Sequence, residues 1–113
     1  MFLAVAIGAF GAHGLESTLE ANARKDTFET GVKYHFYHAL GILIVSLLYM
    51  HLQTPLLKTA AWFMVGGIVI FSGSLYILSI TNIRILGAIT PLGGVAFLIA
   101  WFLIAYSLIK GNS

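Results

Sequence analysis

Arg84 interrupts what would otherwise be one very long charge-free run. Residues 59–83 and 85–109 contain no Asp, Glu, Lys or Arg. As a helix rising about 1.5 Å per residue, either stretch exceeds the roughly 30 Å of a bilayer's hydrocarbon core. The polar turn SITNIR joins them, so the two helices are expected to cross a membrane as an antiparallel hairpin.

A third apolar run precedes the hairpin. Asp26, with Glu29 three residues later, has the form of a capping box. QTP follows the run, and Pro55 cannot continue a helix. The opening run, MFLAVAIGAFGA, makes only about 18 Å of helix, too short to span. No basic residue precedes it, as a signal peptide would require. Ala4, Gly8 and Ala12 recur at helical spacing, a ridge suited to close packing in lipid. These features predict an all-α integral membrane four-helix bundle whose first helix is truncated. Its helices are expected at about 1–13, 27–52, 59–81 and 85–109, in a single transmembrane domain covering 1–113. Residues 14–26 are expected to form a polar loop or an interfacial helix, with Leu15 and Leu19 opposite Glu16 and Glu20. Arg24, Lys25, Lys33 and Arg84 fall with the first and third loops, which the positive-inside rule then puts in the cytoplasm.

Composition agrees. Only 9% of the residues are charged, against about 25% in a soluble domain. The lipid bilayer is therefore the first partner, with other membrane proteins or a second copy of the chain as the remaining classes. The basic residues are scattered, which argues against nucleic acid. The lack of cysteine excludes disulfides, zinc–thiolate sites and iron–sulfur clusters. No phosphate loop, nucleophile–base pair or paired carboxylate occurs, so neither an enzyme nor a cofactor is expected.

Polar residues inside the spans are the candidates for a site. In HFYHALGILI and its approach, Gly31, Tyr34, His38, Gly41 and Val45 alternate at three and four residues and form one seam. The glycines invite a neighbouring backbone, so His38 is expected to face the bundle interior. An unsatisfied polar group in lipid costs several kcal/mol, so His38 needs a partner. A carbonyl of the first helix near Gly8 to Ala12, or the hydroxyl of Ser72 or Ser74, is expected to supply it. His35 is expected nearer the headgroups, with His13 at the same membrane face. Three imidazoles there, with Tyr34 and Tyr37, would suit a metal, haem or quinone headgroup. The simpler reading is that His and Tyr sit at the interface with their polar tips in the headgroups. In LGAITPLGG, Pro91 removes the helical partner of the Gly87 carbonyl, and Thr90 can bond locally. Such a break builds transporter sites, or serves only as a packing kink. FSGSLY offers Ser72, Gly73 and Ser74 as a close-packing face with cross-helix hydrogen bonds.

Four blocks, GAFGAHGL, YHFYHALGIL, FSGSLYIL and LGAITPLGG, resemble in order the small bacterial membrane proteins of the YwdK/YgdD type, a family of unknown function with mitochondrial transmembrane relatives. The likeness covers nearly the whole chain. It implies four transmembrane helices in the bacterial plasma membrane. Members usually begin further upstream, in keeping with a truncated start. The family has no established activity, so no catalytic residue carries over. His13, His38, Ser72, Gly73, Thr90 and Pro91 lie in the matching blocks.

With catalytic groups missing, the expected function is a non-catalytic accessory or scaffold subunit, or a binder of a lipid-like ligand. The alternatives are a redox-associated protein using its histidines, and a small oligomeric transporter built round Pro91.

Overall fold

In the computed structural model, which describes residues 1–110 except for the side chain of His13, three residues with positive φ mark the helix ends: Ala23, Gln53 and Asn82. Helix α1 comprises Phe2–Ala6, a π-helical turn at Ile7–Gly11 and Ala12–Gly14. Helix α2 is Glu16–Ala21, α3 Lys25–Leu52, α4 Pro55–Thr81 and α5 Leu86–Lys110. The described residues contain no strand. Helices α3, α4 and α5 are each long and apolar enough to cross a membrane, whereas α1 is shorter. The result is an all-α integral membrane bundle whose long axis of 55 Å suits a bilayer of about 40–45 Å with its headgroups.

Local chemistry explains the boundaries. Gln53 and Asn82 close α3 and α4 in the left-handed region, and each amide bonds back into the preceding turn. Thr54 caps α4 by accepting from the Leu56 amide. Pro55 is the first residue of α4, where a missing N–H costs nothing, so the third span opens four residues earlier than expected. Asp26 is not the cap of α3. The helix begins at Lys25, and Asp26 lies in its first turn, where a negative charge meets the positive end of the helix dipole. Within 14–26 the chain forms the short helix α2, which buries Leu19. Asn22 donates to the carbonyls of Ser79 and Ile80, and Arg24 donates to Asn82. The first and third loops are thereby tied together at one end of the bundle.

At the other end, Val45, Leu57, Ala60, Met64, Ala100 and Ile104 form a buried cluster between α3, α4 and α5. Further in, α4 and α5 cross at glycines. A side chain at Gly93 would run into the backbone of Phe71, and one at Gly67 into the Phe97 ring. The buried positions of α4 step by three or four residues through Leu57, Ala60, Met64 and Gly67, and again from Ser72 to Leu75 and Leu78. From Gly67 to Ser72 the step is five residues. It falls on a π-helical turn at Ile68–Ser72, whose wider hydrogen-bonding ring accommodates one more residue. Large apolar side chains such as Leu47, Trp62, Val69 and Phe102 point outward, as a lipid-facing surface requires.

Candidate functional site

His38 lies midway along α3, about 20 Å from its start at Lys25. It is 4% exposed and faces α5. Its Nδ1 is 2.8 Å from the Tyr34 carbonyl and can only donate there. Its Nε2 is 3.0 Å from the Trp101 indole N–H and can only accept. These two bonds select one neutral tautomer and occupy both ring nitrogens. The imidazole also stacks on Phe97, with centroids 3.5 Å apart and planes 6° from parallel.

His38 is thus buried on the expected seam, but its partners differ from those expected. They are its own helix and α5, not α1, Ser72 or Ser74. The reason is where α1 packs: Gly8 approaches Val32 and Phe36, and Gly11 approaches Phe28, on another side of α3. The hydroxyls are committed elsewhere. Ser72, fully buried, donates to the Gly31 carbonyl at 2.7 Å and pins α4 to α3. Ser74 bonds the Phe71 carbonyl and the Thr90 hydroxyl, the latter at 2.6 Å. The Thr90 hydroxyl also lies 3.2 Å from the Leu86 carbonyl, one turn back along α5, an alternative acceptor for its single proton.

His35 is buried as well, where only His38 was expected to face the interior. It is 8% exposed and lies 2.9 Å from the Tyr76 hydroxyl, inside the bundle and three residues nearer the start of α3. From Gly31 the seam can step by three to Tyr34 or by four to His35. The structure takes the second route, and Tyr34 is left 39% exposed. His35 borders a separate hollow with Phe2, Leu3 and Val65. The two histidines therefore do not share a site. The side chain of His13 lies outside the described residues. Among those residues no three His, Cys, Asp or Glu side chains come together as metal ligands would.

What His38 does border is a groove of about 590 Å³ between α3, α4 and α5. Tyr34, Tyr37 and His38 form one side. Phe71, carried on the π-helical turn, forms the second. Pro91, Gly94, Val95, Phe97, Leu98 and Trp101 form the third. Rings meet across it: Tyr34 and Phe71 at 4.6 Å, Phe71 and Phe97 at 5.5 Å, His38 and Trp101 at 5.8 Å. Pro91 does not interrupt α5, which runs helical from Leu86 to Lys110. Of the candidates, Tyr34, His38 and Pro91 meet at the groove, Thr90 sits next to Pro91, and His35, Ser72 and Gly73 lie elsewhere. Phe71, Phe97 and Trp101 were not singled out in the sequence. For Phe97 and Trp101 the signal was their four-residue step, one turn after Gly93, which lets α5 approach α4.

A family model described as "Protein of unknown function (DUF423)" matches residues 7–94. The chain is 55% identical over 109 residues to the UPF0382 membrane protein YwdK of Bacillus subtilis, covering 96% of this chain and 88% of that protein. It is 40% identical over 113 residues to a UPF0382 membrane protein of Haemophilus influenzae, covering 99% and 89%. It is 37% identical over 109 residues to the UPF0382 inner membrane protein YgdD of Escherichia coli, covering 96% and 82%. No solved structure matches it.

Proposed function

Since the chain belongs to the DUF423 family and is a multi-pass protein of the bacterial plasma membrane, we propose that it acts without catalysis, as a binder of a lipid-like ligand held in the aromatic groove. The carrying observation is the groove's position and lining: it lies midway along the spans, opens sideways, and is walled by rings with a few polar tips. A volume of about 590 Å³ falls within the roughly 300–1,000 Å³ of small-molecule sites, which are mostly apolar with few polar groups. At that depth the occupant arrives from the bilayer. An ionisable residue inside a membrane span marks a functional site by default, and His38 is one. Both its nitrogens are already hydrogen-bonded, which favours a wall residue over a metal or haem ligand.

The test is purification from native membranes in a mild detergent, followed by mass spectrometry of the organic extract. A lipid-like species retained at about one per chain, above the composition of the bulk membrane, is expected. Extracts that match bulk lipid in both identity and proportion would remove the proposal.

A further inference from the structure

Building on the binding reading above, we infer that the ligand class is a lipid quinone: an uncharged planar ring bearing carbonyl oxygens on a hydrocarbon tail. Three features of the groove select it. First, no Asp, Glu, Lys or Arg lines the groove. A phosphate or ammonium head would lose its water there without gaining a partner, which is costly midway across a bilayer. Second, the walls are flat rings. His38 lies against Phe97 with planes 6° apart, and Tyr34 lies 4.6 Å from Phe71. Ring faces and edges reward another flat ring in offset or edge-on contact. Third, the uncommitted polar tips are hydroxyls, which can donate. The single N–H of the Trp101 indole is already given to His38. The hydroxyls of Tyr34 and Tyr37 make no hydrogen bond to the described residues. Carbonyl oxygens complement this set. Beside it, Pro91, Val95 and Leu98 form a strip about 10 Å long on α5 for the tail.

The chain's two tryptophans make the inference directly measurable. Trp62 lies on the outer surface, and Trp101 lines the groove. Quinones quench indole fluorescence at contact. The full-length Trp62→Phe protein, in nanodiscs of zwitterionic phospholipid, is titrated with a benzoquinone carrying a short saturated tail. Saturable quenching of Trp101 is expected. A side chain at Gly94 would enter open space, so Gly94→Leu fills the groove without straining the fold. Added to Trp62→Phe, it is expected to raise the half-saturating concentration at least about tenfold, equivalent to about 1.4 kcal/mol. Val95→Phe is the second blocking variant should Gly94→Leu fail to assemble. If quenching is linear and unmoved by the blocking variant, while wild type retains another lipid that the variant loses, the quinone inference is overturned and the binding reading stands. If quenching is linear and no lipid is retained, both fall.

Discussion

The end of the bundle beside the Gln53 turn and the middle beside His38 are built from the same three helices, yet only one of them is closed. At the closed end Ala60 and Ala100 face Val45, Leu57, Met64 and Ile104 in a fully buried cluster. In the middle, Tyr34, Phe71 and Phe97 meet at tilted angles, Trp101 meets His38, and together they leave a groove of about 590 Å³. Lipid tails are as apolar as leucine, so burial from water does not hold such helices together; close approach and cross-helix hydrogen bonds do. Small residues permit that approach, while the rings line the groove beside it. The glycine crossing belongs to the middle, where Gly93 meets the backbone of Phe71 and Gly67 the ring of Phe97.

The sharpest way to break this comparison is at that crossing. Gly93→Ala sets a methyl group against the Phe71 backbone, which cannot swing aside as a side chain could. A loss of about 3 kcal/mol is expected, the upper part of the overpacking range. Gly94→Ala, facing open space, is expected to stay within about 1 kcal/mol of wild type. Thermal unfolding in detergent compares the pair, and equal melting points would mean that close approach is not what holds α4 to α5. Next is Met64→Ala in the closed end, expected to cost about 2 kcal/mol, the low end of the large-to-small scale because lipid supplies no transfer term. In the middle, His38→Ala removes the acceptor of the Trp101 N–H and the ring stacked on Phe97. It is expected to cost about 1.5 kcal/mol, with partial recovery in His38→Gln. A glutamine variant no better than alanine would show that stacking, not hydrogen bonding, is what His38 contributes. Smallest is Ser72→Ala, which loses the bond to the Gly31 carbonyl. About 0.6 kcal/mol is expected, the average for such bonds in membrane proteins, again read as a melting shift.

The spans were legible because a charge is costly in lipid, so the charge-free runs 59–83 and 85–109 admit little else. The inward face of His38 was legible from the glycines on its seam. The burial of His35 was not. Gly31 has neighbours three and four residues on, and spacing alone does not say whether Tyr34 or His35 turns inward. Which polar groups pair across helices was equally hidden, because that depends on where α1 docks along α3. The groove's second half was invisible for another reason. In α5 nearly every residue is apolar, so Phe97 and Trp101 look like the lipid-facing Leu92 and Phe102 around them. Periodicity distinguishes faces only where their chemistry differs.

The five-residue step at Ile68–Ser72 holds one residue more than a regular helix needs, and so gives α4 an unequal tolerance of genetic change along its length. An α-helix turns about 100° per residue. The extra residue keeps Leu57 to Gly67 and Ser72 to Leu78 on one side of α4 despite the odd spacing. Exchanging Val69 or Ile70 for another apolar residue alters only what the surrounding lipid touches, since both point outward. Losing a single codon there would leave Ser72 four residues from Gly67, the ordinary step of a regular α-helix, so the two halves of α4 would stay in phase. The same loss within Pro55–Gly67 or Gly73–Thr81 would instead rotate everything beyond it by about 100°. At this turn α4 can shed a residue that its regular segments cannot.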